Sequence, residues 1–343
     1  MREEIRAIPP GEYSYEDFME DDGITETRYR INTTVVVKDG EVLVDYTGSD
    51  PQASGPINAT YGVTASATYN AMLQITGAHI PRNAGCYRPI KIIAPPGTVV
   101  NVKYPGPSVG GNTETQPRIV GSILGALSQV LPEKVMAAEG ATSCNFLFGG
   151  VSPKTGRFYT HYHFEASGWG GRYTTDGNSA QNHIHGNCRN TPIEIFESVF
   201  PFLVESYSLR QDSGGPGRTR GGLGTRRILK VLAPQVTVSV MMDHVKQGAW
   251  GSFGGLSGGL AGIWIKKKDM ESFRTFSEVY GTISPSKFAN LVVDAGDEIM
   301  LDSAGGGGYG DPLARERELV IRDVLDGFVS PAAAEKYYHV RLP

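Results

Sequence analysis

Short runs of alternating apolar and polar residues dominate the first sixty positions, and a period of two is typical of half-buried β-strands. Residues 29–37 are rich in β-branched side chains, and Lys38-Asp39-Gly40 has the composition of a tight turn before residues 41–46. The pattern therefore predicts a β-hairpin here. Similar runs predict further strands at 145–149, 158–165, 236–242 and 289–293, and two short edge strands around the Pro-Gly turn of 91–101.

Helical spacing is found in fewer places. Helices are predicted at about 63–75 and 117–131, a short one after Thr191-Pro192, and two within 314–338. The predicted fold class is α+β, sheet-rich, with a few packed helices and Gly-rich corner loops. The predicted sub-regions are 1–200 (mixed α+β), 201–312 (β-rich) and 313–343 (a C-terminal helical tail).

Composition narrows the class of protein. The net charge of −4 provides no basic footprint for nucleic acid, and no apolar stretch is long enough to span a membrane. The N-terminus lacks the apolar core of a signal peptide, so a cytoplasmic location is expected. Three scattered cysteines argue against a disulfide framework.

Glycine, with 44 of 343 residues, is unusually frequent but has no collagen-like period. The run 210–224 combines Gly, Pro and Arg, and a second Gly-rich run occupies 303–312. The first run predicts a folded loop whose turns need positive φ. It is either a structural corner between sheets or a nest of amides and guanidinium groups for an anion, and the strand-like residues after it favour the corner.

Four of the seven histidines lie close together in the sequence. His161, His163 and Glu165 alternate along a predicted strand and should share one face. His183 and His185 follow in a polar loop, after Asp176 and before Cys188. Such side chains could bind a transition metal, but His-x-His alone is weak evidence, and a polar interior wall explains the strand pair as well.

The segment Gly110–Gln116 precedes a predicted helix. Free amides at Gly110 and Gly111 could face a ligand, Asn112 and Gln116 could bind an amide or carbonyl group, and Glu114 could act as a general base. A simple helix N-cap with solvated polar residues is the alternative. Cys86, between two arginines, is either a nucleophile or, as we favour, a buried inert thiol.

Taken together, these segments resemble the hydantoinase B/oxoprolinase family. The resemblance runs nearly end to end and rests on several motifs in one order: 45–52, 55–58, 83–90, 94–97, 110–115, Asp176-Gly177, 190–194, 210–224 and 305–312.

The resemblance implies an ATP-dependent enzyme that opens cyclic amides such as hydantoins or 5-oxoproline. ATP is expected on a partner, a hydantoinase A-like ATPase subunit that phosphorylates the small-molecule substrate before its ring C–N bond is hydrolysed. Related subunits belong to acetone and acetophenone carboxylases, so a carboxylase subunit is the first alternative. A non-catalytic partial subunit is the second.

The resemblance covers only the C-terminal two-thirds of such proteins. The ligands of a divalent metal, where the family has one, are expected outside this chain, and a separate chain supplying the N-terminal segment is a further expected partner. The candidate catalytic residues are Glu114, His183 and His185. The candidate substrate-binding residues are Gly110, Gly111, Asn112 and Asp176, and no metal ligand is assigned.

Overall fold

The predicted hairpin lies within a four-stranded sheet of the computed structural model, which describes residues 1–341. Asp39 and Gly40 both have positive φ, 51° and 76°, as a two-residue hairpin turn requires. The sheet order is β1-β2-β3-β4, antiparallel except for the parallel β3–β4 pair. Its strands are β1 (Gly11–Met19), β2 (Tyr29–Lys38), β3 (Glu41–Asp45) and β4 (Ile90–Ile93).

Helices pack with this sheet in the first of two compact units, which comprises Met1–Met136 and Arg172–Thr174. They are α1 (Arg2–Arg6), α2 (Tyr61–Ile75), α3 (Ala84–Tyr87), a π-helical turn (Gly111–Thr115) and α4 (Gln116–Ser128). Helix α4 lies against β1, β2 and α2, and the Ser122 and Thr33 hydroxyls are 2.7 Å apart at that contact. The predictions of helices at 63–75 and 117–131 are confirmed. The second edge strand predicted within 91–101 is wrong, because Thr98 there makes only isolated bridges.

The second unit, Ala137–Gly171 and the chain from Thr175 onward, contains two antiparallel sheets. One has the order β11-β10-β13-β8-β7 and the other β12-β9-β5-β6. Apolar side chains of both sheets, among them Phe146, Phe202, Val238 and Ile299, form one buried core. The strands are β5 (Asn145–Val151), β6 (Phe158–His163), β7 (Phe202–Leu209), β8 (Thr225–Val231), β9 (Gln235–Met241), β10 (Gly262–Lys266), β11 (Arg274–Thr275), β12 (Lys287–Asp294) and β13 (Glu298–Asp302).

Short helices complete the second unit. Val320, Ala334 and Tyr338 of the last two form a small separate core, and the two helices predicted within 314–338 are confirmed. The α+β fold class is confirmed as well, whereas the three predicted sub-regions stay a prediction. The helices are α5 (Ile193–Val199), α6 (Phe276–Tyr280), a 3₁₀ turn (Pro312–Ala314), α7 (Arg317–Leu325) and α8 (Pro331–Tyr338). No helix within residues 1–341 is both long and apolar enough to cross a membrane.

The two Gly-rich runs lie side by side in the interior of the second unit. The Gly215 amide donates to the Gly306 carbonyl, and the Gly306 amide donates to Gly222. A Cβ atom on Gly221 would lie 1.9 Å from the Gly306 oxygen. The positive φ predicted for turns of the 210–224 loop is found at Asp212, with φ 61°, and not at its glycines, which close backbone packing requires instead. The run 210–224 connects β7 with β8, as the prediction of a corner loop between strands expects, whereas 303–312 follows β13 and leads into the 3₁₀ turn.

Candidate functional site

The end of β6 carries the predicted row of polar side chains. The ring centroids of His161 and His163 are 5.9 Å apart, and His163 Nε2 lies 2.9 Å from Glu165 Oε1. The prediction that these three residues share a face is therefore confirmed. Burial first, and then the neighbouring His163, hold the pKa of His161 below its ordinary value.

Glu165 is the centre of a buried charge network. Arg227 Nε donates to Glu165 Oε1, and the Arg227 guanidinium lies 4.0 Å from the Tyr207 ring centroid. Burial by itself would raise the pKa of Glu165, but His163 and Arg227 outweigh it and lower that pKa. The interior therefore holds an ionised carboxylate whose charge is compensated on two sides.

A cleft of about 330 Å³ opens beside this network. Its walls are the end of β6 (161–164), residues 180–182 and residues 188–191. Cys188 and Arg189 are exposed at its edge, and the lining contains no Asp or Glu side chain. The size and the mixture of aromatic, imidazole and amide groups are typical of a small-molecule site.

In the sequence, His183 and His185 come directly after the lining residue Asn182. Their rings stack with centroids 3.9 Å apart, so the structure brings these two candidate residues together. Burial and then His185 lower the pKa of His183 to about 3, so its imidazole is neutral at ordinary pH. Asn182 holds the loop, since Trp169 Nε1 donates to its carbonyl at 2.6 Å and its own Oδ1 accepts from the His183 amide.

Glu139 is a further polar residue of this region that the sequence analysis did not single out. Burial raises the pKa of Glu139 to about 8, and the backbone amide of Ile184, between the two histidines, lowers it only in part. Neither carboxyl oxygen has a hydrogen-bond partner of good geometry within residues 1–341. The available signal was a single carboxylate in the small-residue run 136–143.

Gly110, Gly111, Asn112 and Glu114 belong to the first unit, whereas His183 and His185 belong to the second. The Gly110 amide donates to the Pro56 carbonyl, and the Gly111 amide donates to the Ser108 carbonyl. The sequence analysis expected both amides to be free, and neither is. Glu114 is fully buried and Asn112 is exposed. The roles of these four residues stay predictions.

Asp176 is held by contacts with two arginine residues. Its two oxygens accept from Arg315 at 2.7 Å each, and Oδ1 also accepts from the Arg220 amide. Burial would raise the pKa of Asp176, but the contact with Arg315 lowers it. The carboxylate thus anchors the segment before α7, and substrate binding by Asp176 stays a prediction.

Cys86 is buried.

The described residues do not bring His, Cys, Asp and Glu side chains together as a metal ion requires. Within residues 1–341, no group of three or more His, Cys, Asp or Glu side chains is arranged to hold one. The His161/His163 pair instead faces Glu165 and aromatic rings, which matches the polar-wall interpretation.

Comparison with known proteins supplies the family. The model of the hydantoinase B/oxoprolinase family matches residues 1–312. An uncharacterised protein of Methanocaldococcus jannaschii is 36% identical over 91% of this chain and 52% of its own length. Caprolactamase subunit beta of Pseudomonas jessenii is 30% identical over 99% of this chain and 58% of its own length. The crystal structure of the ATP-dependent caprolactamase from that organism has a TM-score of 0.85 at 27% identity, covering 100% of this chain and 59% of the other. The chain thus spans little more than half the length of these relatives.

Proposed function

This chain belongs to the hydantoinase B/oxoprolinase family, and from that premise we propose that it is a subunit of an ATP-dependent cyclic-amide hydrolase. The chain is similar to caprolactamase subunit beta, whose name refers to a cyclic amide, and this similarity supports cyclic amides as the substrate class. The word subunit in that name supports a partner, which we propose to be a hydantoinase A-like ATPase that binds ATP.

Amide chemistry explains why two subunits would cooperate. A ring amide is a poor electrophile, and transfer of the γ-phosphoryl group to its oxygen creates a leaving group. Water then adds to the ring carbon, and the C–N bond breaks as the nitrogen gains a proton, which leaves an acyl phosphate. A second water adds to the acyl carbon, and phosphate leaves with the C–O electron pair to give the carboxylate. This chain would orient the water and stabilise the developing oxyanion.

The cleft is the observation that carries the assignment to this chain, because its lining residue Asn182 directly precedes His183 in the sequence. His183, neutral because of burial, can accept a hydrogen bond from water at one ring nitrogen and donate from the other. We propose that His183 and His185 orient the attacking water. Glu114, which belongs to the first unit, stays a separate candidate base. Gly110, Gly111, Asn112 and Asp176 remain proposed substrate-binding residues.

The test is co-expression with the hydantoinase A-like partner, followed by assay of ATP-dependent opening of hydantoin, 5-oxoproline and caprolactam. His183→Ala should lower turnover by about 10²-fold or more without unfolding the chain. The matched control is His79→Ala, because His79 is an exposed histidine far along the sequence from the cleft residues.

Ring opening that requires ATP would support the proposal. A requirement for bicarbonate with a carboxylated product would instead identify a carboxylase subunit. An unchanged rate in the His183→Ala complex would remove that residue, and a complex that opens no cyclic amide would contradict the proposed function.

A further inference from the structure

The charge balance of the cleft is the first argument for a specific ligand class. Arg189 is the one residue of the lining whose side chain is positively charged at all ordinary pH values, and no carboxylate side chain lines the cleft to neutralise it. Glu165, which is adjacent to the lining in sequence, is fully buried and bound to Arg227 and His163, and the exposed Glu194, five residues after Arg189, is not part of the lining. An anion entering the cleft would therefore meet an uncompensated positive charge.

Arg189 has no competing partner. Its side chain is exposed and makes no hydrogen bond or ion pair in the part of the chain that the structure describes. This distinguishes it from Arg227, Arg226 and Arg315, each of which is bound to a carboxylate. A planar guanidinium group with free N–H groups is suited to bind a carboxylate or phosphate through two hydrogen bonds.

A buried donor of the same cleft also lacks an acceptor. Asn182 is 6% exposed, and its Nδ2 atom has no hydrogen-bond partner within residues 1–341. The Asn182 Oδ1 atom already accepts from the His183 amide, which fixes the side chain so that Nδ2 is the free end. A ligand acceptor placed at Asn182 Nδ2 would therefore pair a donor that is otherwise buried and unpaired.

We propose that this cleft binds a small ligand through an oxyanion, a carboxylate or a phosphoryl group, with Arg189 as its charge partner and Asn182 Nδ2 as a buried donor. His161, Tyr162 and Phe164 provide the flat surfaces for the uncharged part of the ligand. Identifying the ligand with the substrate or its phosphorylated form rests on the proposed function, whereas the binding itself does not.

Cys188 provides a readout of binding that needs no turnover. It is exposed and lines the cleft, whereas Cys86 and Cys144 are buried. The rate of Cys188 alkylation by neutral iodoacetamide is measured by mass spectrometry on the full chain. The probes are 5-oxoproline, 2-pyrrolidinone as the same ring without the carboxylate, and inorganic phosphate.

An oxyanion probe should slow alkylation by about tenfold at ten times its Kd. Arg189→Gln should raise the Kd of that probe by about tenfold or more, since a charge-assisted hydrogen bond is lost, so protection at the same concentration falls to about twofold or less. Arg157→Gln, which removes an exposed arginine outside the cleft lining, should leave protection unchanged.

Protection by 5-oxoproline alone would identify a carboxylate ligand, and protection by phosphate a phosphoryl ligand. Equal protection by 2-pyrrolidinone, protection that survives in Arg189→Gln, or no protection by any probe would overturn the inference. No protection by any probe, together with intact ring opening in the complex, would overturn this inference and leave the proposed function standing. Protection by an oxyanion probe without ring opening in the complex would support this inference and contradict the proposed function.

Discussion

Glu139 and Glu165 are both buried carboxyl groups of the second unit, yet their protonation is opposite. Burial raises the pKa of Glu139 to about 8, and the backbone amide of Ile184 lowers it only in part. Burial would raise the pKa of Glu165 as well, but His163 and Arg227 reverse the effect. The difference between the two residues lies in their partners and not in their depth.

The raised pKa of Glu139 predicts a pH-dependent stability. The folded protein binds more protons than the unfolded chain between the ordinary pKa and the raised one. This contribution is fully present below about pH 4.5 and is lost as the pH rises through about 8. Glu139→Gln cannot ionise, so its free energy of unfolding relative to wild type should rise by about 1.4 kcal/mol per pH unit across that window.

Urea unfolding at a series of pH values measures this difference. Glu133→Gln, at an exposed glutamate, serves as the control and should show no such trend. A flat difference between Glu139→Gln and wild type would mean that Glu139 is ionised in the folded protein.

Loss of the Glu165 charge should be costly. Glu165→Gln leaves Arg227 buried without its counter-ion, and breaking a buried pair typically costs about 3–5 kcal/mol. Glu16→Gln is the matched control, because the Glu16–Arg30 pair is half exposed and such pairs contribute less than about 1 kcal/mol. Equal losses in the two variants, measured by urea unfolding, would contradict the buried-network interpretation.

At the scale of elements, the Gly-rich runs are the feature on which the second unit depends. The residues 303–308 lie between other backbone segments, and a Cβ atom on Gly306 would meet the Trp169 oxygen at 2.1 Å. No side-chain rotation can relieve that contact, because the backbone fixes the position of the Cβ atom and the oxygen is itself a backbone atom.

Gly306→Ala should therefore lower the free energy of unfolding by about 3 kcal/mol or more, or abolish folding. Gly62→Ala is the control. Gly62 lies near the start of α2 with only one neighbouring atom within 4 Å, at 3.9 Å, so alanine should be neutral or stabilise by up to about 1 kcal/mol. Thermal unfolding of both variants decides the point, and a stable Gly306→Ala protein would exclude the close packing described above.

At the scale of the whole molecule, the first unit has its own sheet, its own helices and its own buried side chains. Alternate residues of β2, including Ile31 and Val35, are fully buried, as are Met72 of α2 and Ile123 of α4. These helices lie against each other, and α4 covers the sheet.

We therefore expect the fragment 1–136 to fold cooperatively by itself, as measured by circular dichroism during heating. The fragment 1–110 should fail to do so, because it lacks α4 and leaves the apolar face of β2 in water. Cooperative melting of both fragments would mean that α4 is dispensable, and melting of neither would mean that the first unit needs the rest of the chain.

The sequence by itself determined the local elements and the family. The hairpin at 29–46, the helices at 61–75 and 116–128 and the helical tail follow from periods of two and 3.6 residues, which act between near neighbours. The shared face of His161, His163 and Glu165 follows from the same rule. The ordered motifs carried the family assignment in the same direct way, because they are read position by position.

Only the tertiary structure decided the rest. The pairing of Asp176 with Arg315 joins residues far apart in sequence, and the packing of Gly221 against Gly306 likewise depends on long-range approach of the chain. The raised pKa of Glu139 and the free donor of Asn182 arise from burial, which no local pattern encodes. Periodicity reports which face of an element is covered, whereas the chemistry of a site depends on what covers it.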